Sequence, residues 1–274
     1  MSGASHVWYC NGQPLPAGGL DRGLQFGDGL FETIAVRSGR ALRLTRHLDR
    51  LEWGCERLGL PRPERRVLER ELTSLASGHD EAVLKLIVTA GKAGRGYARA
   101  SAPELTRYSA CLPWPTGLPE QLSVTTCKLR LSEQPALAGV KHCNRLEQIL
   151  ARREVDSRSC DEGLLLDRDG RVVEGVSSNI FIVRAGQLIT PELRGAGVAG
   201  IIRGLVLERA PALDIASKVS EIRPEDILEA DEVFMCNSVM GIRPVVSLDV
   251  DGQQKQWEPG KLTCQLQRIL EQEN

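Results

Sequence analysis

The chain has 274 residues, 26% of them charged and 42% hydrophobic, with a formal net charge of -1. That length suits two modest domains with a core each, and the near-neutral balance argues against a broad electrostatic footprint for nucleic acid or anionic membrane. No early apolar run reaches membrane-spanning length, and the first residues lack the basic and apolar tandem of a secretory leader, so a cytoplasmic protein is expected.

In chain order, His6–Cys10 reads as a strand closed by Asn11-Gly12, a hairpin turn signal. A glycine-rich stretch, Gly18–Gly29, follows. Phe31–Arg37 reads as a strand, Ser38-Gly39-Arg40 as a turn and Ala41–Leu44 as the return strand. Thr45 is placed to cap a helix whose apolar face carries Leu48, Leu51, Cys55 and Leu58. Gly59, Pro61 and Pro63 separate it from a second helix, Glu64–Leu75. Ala82–Thr89 reads as a buried strand and Tyr108–Leu112 as another.

Between them, Gly91–Tyr97 is rich in glycine but matches neither a phosphate loop nor a dinucleotide fingerprint. It is either a loop presenting Arg95 to an anionic substrate or a hairpin tip. Pro113, Pro115, Gly117 and Pro119 form the one obvious linker, so the expected organisation is an N-terminal domain over 1–112, a linker over 113–120 and a C-terminal domain over 121–274.

Gly163–Asp167 and Arg171–Glu174 flank Arg168-Asp169-Gly170, a hairpin signal, and Gly175–Asn179 turns into a strand at Ile180–Val183. The glycines of Gly195–Gly200 lead into a helix, whose open N–H groups are a ready anion site. Glu232–Met235 runs into Cys236-Asn237-Ser238 and a strand at Val239–Val246, and a last helix carries Leu262, Leu266, Ile269 and Leu270. Alternating strands and helices fit a mixed α/β fold. The eight cysteines include no C-x-x-C pair, and the four histidines do not cluster, so reduced thiols and no metal are expected.

The stretch Val140–Leu150 draws these pieces together. Lys141 stands ahead of a helix in which Leu146, Ile149 and Leu150 recur at helical spacing, with Arg145 nearby. An isolated lysine is usually a solvated one. Enclosed, or close to another cation, it loses its proton more easily and becomes a nucleophile for a carbonyl. The chain also offers a carboxylate at a strand end, Glu174, a glycine-led helix start, and a polar Asn237-Ser238 pair at another strand end. Pyridoxal phosphate needs a lysine for its aldehyde, an acid beside its ring nitrogen and an anion cradle for its phosphate.

Five motifs carry a resemblance that runs nearly end to end: Asp21-Arg22-Gly23 with Phe26-Gly27-Asp28-Gly29, His47-Leu48-Asp49-Arg50-Leu51, Glu174-Gly175-Val176-Ser177-Ser178-Asn179, Gly200-Ile201-Ile202-Arg203, and the strand reaching Asn237-Ser238. On them the chain resembles the fold type IV pyridoxal phosphate enzymes, which comprise the branched-chain and D-amino acid aminotransferases and the aminodeoxychorismate lyases. Leu137–Gln148, Gly94-Arg95-Gly96-Tyr97 and Cys236-Asn237 with Met240 are more similar to the lyase branch. Phe31 and Ile202, where the D-amino acid aminotransferases have tyrosine and threonine, lean the same way.

The resemblance implies a two-domain architecture with a smaller N-terminal α/β domain and a larger, strand-rich C-terminal one, the cofactor lying between them, in a homodimer. It implies Lys141 as the lysine attached to the cofactor and Glu174 as the partner of its ring nitrogen. Arg50, Ser177, the N–H groups of Ile201 and Ile202, and Ser238 would bind the cofactor, with Arg95 and Asn237 toward the substrate's carboxylates. The implied reaction converts 4-amino-4-deoxychorismate to 4-aminobenzoate and pyruvate, a step toward folate. Lys141 would move the ring proton, and either Lys141 or the Thr33 hydroxyl would protonate the departing fragment. The rival is a D- or branched-chain amino acid aminotransferase on the same fold.

Overall fold

The structure, a computed structural model, describes residues 9–10, 13–14, 20–92, 96–250 and 252–272. The chain divides into two compact units, Met1–Leu112 with Lys141–Asn144, and Pro113–Val140 with Arg145–Asn274. The division is therefore not a single cut at the prolines. The chain enters the first unit for four residues at Lys141 and leaves it again after Asn144.

In the first unit, β1 (Tyr9–Cys10) and β2 (Gln13–Pro14) pair antiparallel, while the turn expected between them lies outside the described residues. Helix α1 (Arg22–Phe26) occupies the glycine-rich stretch, where no element was expected. Strands β3 (Gly29–Arg37), β4 (Arg40–Ala41), β5 (Glu81–Thr89) and β6 (Thr106–Pro113) form a sheet in the order β4-β3-β5-β6. Helices α2 (Leu44–Arg57) and α3 (Arg65–Ala76) lie between β4 and β5 in sequence.

Strand alternation decides which side of this sheet is core. Leu30, Ile34 and Val36 of β3 share a face with Leu84, Leu86 and Val88 of β5, and all six are buried. Helix α2 adds buried Leu48, Leu51 and Cys55, and α3 adds Leu68, Leu72 and Ala76. Burying each large aliphatic contributes roughly 1.5–3 kcal/mol. Thr45 does not cap α2. The cap position is Arg43, whose left-handed backbone (φ 55) ends the short return strand early and starts the helix at Leu44.

The second unit holds a nine-stranded sheet. Its strands are β7 (Leu122–Leu131), β8 (Glu162–Asp167), β9 (Val172–Gly175), β10 (Asn179–Arg184), β11 (Gln187–Pro191), β12 (Ser217–Ser220), β13 (Glu232–Asn237), β14 (Gly241–Val250) and β15 (Gln253–Gln256). Their order is β12-β11-β10-β13-β14-β7-β8-β9, with β15 paired to β14. Pairings are mixed: β7 is parallel to both β14 and β8, while β13 is antiparallel to its two neighbours.

Alternation splits the core by face. Ile180, Ile182, Val233 and Met235 enter one cluster, whereas Phe181, Val183, Phe234 and Cys236 enter another. The second cluster is covered by α5 (Ile201–Arg209) and α7 (Lys261–Gln272) and includes the stacked rings of Phe181 and Phe234, 4.9 Å apart. A further helix, α6 (Pro224–Leu228), contributes Ile227 to the first.

Helix α4 (Leu146–Ser157) corrects one expectation. Its buried residues are Ala151 and Val155, which join Cys127, Leu131, Leu165 and Val173. Leu146, Ile149 and Leu150 are 74%, 56% and 48% exposed. The helix carries two apolar stripes, and spacing alone cannot say which one meets the core.

Candidate active site

In the first unit three of the residues expected at the site, Thr33, Arg50 and Lys141, gather about the two faces of β3. Lys141 is held there by its backbone: its carbonyl accepts from the Phe31 N–H at 3.1 Å, His142 bridges to Leu30, and the Cys143 N–H donates to the Gly29 carbonyl at 2.9 Å. The four-residue excursion is thus a short antiparallel addition to β3. It places the Lys141 Nζ 4.3 Å from the centre of the Phe31 ring. Lys85, paired with Thr33 across β3 and β5, brings its Nζ to 3.7 Å from the same ring and 3.4 Å from the Thr33 hydroxyl. A bare aromatic face attracts both ammonium groups. Asn144 closes the segment with a 3.4 Å bond to the Gly27 carbonyl. Gly27, at φ 65, permits this approach, since a Cβ would stand 2.2 Å from the Asn144 Oδ1.

On the opposite face Glu32 is buried at 1% exposure. Its carboxylate accepts from Arg50 Nε at 2.8 Å and Nη2 at 2.5 Å, and lies 2.6 Å from His47 Nδ1. Burial pushes the Glu32 carboxyl up, but the Arg50 charge and the His47 hydrogen bond outweigh it and hold it at about 2. Burial also keeps His47 neutral, aided by the charges of Arg50 and Lys141 against the pull of Glu32. An ionised carboxylate only accepts, so His47 carries its proton on Nδ1. Glu32 therefore aims the Arg50 guanidinium through two of its nitrogens.

In the second unit Glu174 is the next-to-last residue of β9, and its Oε2 accepts the Val198 N–H at 2.8 Å. The Val198 carbonyl in turn accepts from Asn179 Nδ2 at 2.9 Å. Gly200 follows as the N-cap of α5, with no side chain capping the helix. A Cβ on Gly200 would stand 1.9 Å from the Asn179 Oδ1, so only glycine fits beside this clamp. The side chains of Ile201 and Ile202 are buried in the core, leaving backbone N–H groups as what they can offer an anion.

Two other expected residues are engaged in building the turns. Ser177 donates to Glu162 Oε1 through its N–H at 2.8 Å and its hydroxyl at 3.1 Å, and Ser178 adds a 2.6 Å bond. Asn237 donates to the Ser177 carbonyl at 3.2 Å and accepts from the N–H groups of Val239 and Met240. Ser238 makes no hydrogen bond among the described residues. Arg95 lies outside the described residues.

Sequence reasoning missed Glu32, His47 and Glu162. A signal was present for the first two. Glu32 falls on the apolar face of β3, and His47 on the apolar stripe of α2 beside Leu48 and Leu51. A charge written into a core face requires a paired partner. Glu162 had no such signal, because β8 is buried throughout and its first residue reads as a strand end.

Each unit by itself holds groups of the kind a phosphorylated carbonyl cofactor uses: the first a backbone-fixed lysine and an aimed guanidinium, the second an uncapped helix start and an oriented carboxylate. Among known proteins, the chain is 33% identical to the aminodeoxychorismate lyase of Vibrio harveyi, over 96% of this chain and 99% of that one. It is 29% identical to a D-alanine aminotransferase of Bacillus licheniformis, over 92% and 89%. Its fold superposes with a TM-score of 0.86 on the crystal structure of 4-amino-4-deoxychorismate lyase from Pseudomonas aeruginosa, at 44% identity over 96% and 97% of the two chains. The pattern of the amino-transferase class IV family matches residues 29–248, and the chain belongs to that family.

Proposed function

We propose that the protein is a pyridoxal phosphate-dependent aminodeoxychorismate lyase, which releases 4-aminobenzoate and pyruvate from 4-amino-4-deoxychorismate. The observation that carries this reading is Lys141, pinned by its backbone to β3 with its Nζ over the Phe31 ring, which has no hydroxyl. The likeness to lyases from two other bacteria, at 33% and 44% identity over nearly the whole chain, supports it.

In this reading Lys141 would hold the cofactor through its aldehyde, and Glu174 would keep the ring nitrogen protonated. Arg50, the N–H groups of Ile201 and Ile202, and the Ser238 hydroxyl would hold the phosphate. Ser177 serves through the turn it builds. When bound, the cofactor supplies the electron sink that makes proton loss beside the amino nitrogen possible. The Lys141 amine would then take the proton from the ring carbon that bears the substrate's amino nitrogen. The enolpyruvyl group then leaves as the ring becomes aromatic, and its terminal carbon takes a proton from Lys141 or Thr33 to give pyruvate. Arg95 meets a substrate carboxylate, and Asn237 orders the adjoining turn.

The aminotransferase likeness supplies the rival, and the two differ in nitrogen balance. A lyase needs no keto acid acceptor. Supplied with aminodeoxychorismate alone, the enzyme should form aminobenzoate and pyruvate in equal amounts over many turnovers, and Lys141→Ala should lose this activity by roughly 10²–10⁴-fold or more. Exchange between a D- or branched-chain amino acid and 2-oxoglutarate, with no aminobenzoate formed, would overturn the reading.

The exposed stripe of Leu146, Ile149 and Leu150 supports a homodimer, because adjacent large aliphatics on one helix face are costly to leave in water. Sedimentation at micromolar concentration should give twice the chain mass. A monomer with full activity would refute the dimer.

A further inference from the structure

One acidic side chain beside β3 belongs to none of the roles above. Asp28 immediately precedes the strand, and arginines hold both of its carboxylate oxygens. Its Oδ2 accepts from Arg22 Nε at 2.8 Å and from Arg99 Nε at 2.9 Å, and its Oδ1 accepts from Arg99 Nη2 at 2.5 Å. Each arginine is anchored elsewhere in turn. Arg22, 3% exposed, opens α1, and its two terminal nitrogens donate to the carbonyls of Gly96 at 3.2 Å, Tyr97 at 2.8 Å and Ala98 at 3.3 Å. Arg99 Nη1 donates to the carbonyl of Leu58, the C-cap of α2, at 2.5 Å. Burial raises the Asp28 carboxyl, but the two arginines hold it below its ordinary value, so the centre stays charged.

The backbone on either side of Asp28 is what receives Lys141–Asn144. The Gly27 carbonyl accepts from Asn144 Nδ2 at 3.4 Å, the Gly29 carbonyl accepts the Cys143 N–H at 2.9 Å, and the Phe31 N–H donates to the Lys141 carbonyl at 3.1 Å. Alternate residues of an extended chain turn their polar groups to the same edge. Asp28 accordingly faces the other way, its carbonyl accepting the Ala90 N–H at 2.9 Å just past β5. Farther along β3, Glu32 holds Arg50 and His47 of α2. Charge therefore staples this chain to α2 twice, at Asp28 through Arg99 and at Glu32. The Lys141 pairing at Gly29–Phe31 lies between the two staples.

We propose that Asp28 is a positioning residue for Lys141: through Arg22 and Arg99 it holds the start of β3 so that the edge at Gly27, Gly29 and Phe31 receives Lys141–Asn144 in one register. The cofactor part of this proposal rests on the reading that Lys141 attaches to a cofactor aldehyde; the hold on the register does not. A carboxylate suits the place because its two oxygens serve two guanidinium groups at once.

Two cofactor forms separate positioning from general loosening. Pyridoxal phosphate can attach to a lysine, whereas 4-deoxypyridoxine 5′-phosphate has the same ring and phosphate without the aldehyde. In Asp28→Asn one carbonyl oxygen faces two guanidinium groups. The affinity of the full chain, freed of cofactor, for pyridoxal phosphate should fall about tenfold, as for loss of one charged hydrogen bond, and its affinity for the deoxy form should stay within about twofold. Hydrogen–deuterium exchange of the peptide containing 141–144 should rise several-fold. Arg99→Met, which removes one arm, should reproduce both effects more weakly and serves if Asp28→Asn does not fold. Arg99→Lys should recover part of each. Equal weakening of the two cofactor forms means general loosening and overturns the positioning role, as does unchanged affinity for both. Unchanged exchange at 141–144 overturns the hold on the register, whatever reaction the enzyme performs. A wild type that binds the two forms equally well removes the reading of Lys141 as the attachment residue, and the exchange measurement then decides the hold by itself.

Discussion

In the first unit Glu32, His47 and Arg50 form a buried set in which two full charges and a neutral imidazole hold one another. In the second unit one oxygen of Glu162 gathers a backbone N–H and two neutral hydroxyls, and the Arg152 guanidinium stands 3.8 Å from the other oxygen. Both carboxylates are buried and both sit behind residues proposed to contact the cofactor. The difference lies in what remains if the charge is removed. Taking one member from a buried ion pair leaves the other uncompensated, whereas hydroxyl and amide donors can still bond to a neutral oxygen. The first arrangement aims a long, mobile guanidinium. The second shapes a turn whose backbone already limits its choices.

The largest effect should come from breaking the charged set. Glu32→Gln removes the buried negative charge that faces Arg50 and leaves one carbonyl oxygen where Arg50 and His47 had two carboxylate oxygens, and should cost about 3–5 kcal/mol of folding stability. The loss should also depend on pH. Glu32 is held at about 2 against an ordinary 4.5, so below 4.5 the unfolded chain binds more protons than the native one. The stability that the carboxylate contributes is complete above about pH 4.5 and drains away as pH falls toward 2. His47 acts in the same sense. Its depressed pKa favours the neutral ring in the fold, and that contribution is lost as acid enters below its ordinary 6.5. Urea unfolding of wild type and Glu32→Gln at several pH values should show the gap between them narrowing below pH 4.5. A gap that is constant down to pH 3 would mean that the carboxylate is not held by charge.

How much of this was legible in the sequence follows the range of the interactions. β3, β5 and the apolar side of α7 follow from local alternation or helical spacing, and each is close to where it was expected. Helix α1 was hidden, because five residues between an Asp21 cap and the left-handed Gly27 are too few to show a period. The residues of the lysine, arginine and glycine motifs were legible, but not their supports. Nothing local in Lys141–Cys143 announces that it will pair with Gly29–Phe31, more than a hundred residues earlier. Likewise the Asp21-Arg22-Gly23 motif was legible as a family mark, while its grip on Gly96–Ala98 depends on contacts that the chain order conceals.

The smaller effect sharpens the comparison from the other side. Glu162→Gln keeps an oxygen toward Ser177 and Ser178 if the amide turns its carbonyl to them, and its NH2 then faces Arg152, which needs no donor. The substitution exchanges charge-assisted bonds for neutral ones without leaving a buried ion unpaired, so it should cost roughly 1–2 kcal/mol. Because the turn follows β9 directly and Ser177's carbonyl receives the Asn237 amide, a looser turn should act together on the residues of the second unit that we propose hold the cofactor. Apoprotein titrated with pyridoxal phosphate should bind several-fold more weakly, while attachment through Lys141 in the first unit still occurs at saturating cofactor. Glu162→Ala, which removes every acceptor, should exceed the Gln variant in both measures. If Glu162→Gln destabilises the protein as much as Glu32→Gln does, the second carboxylate is also held by charge, and the contrast between the two units disappears.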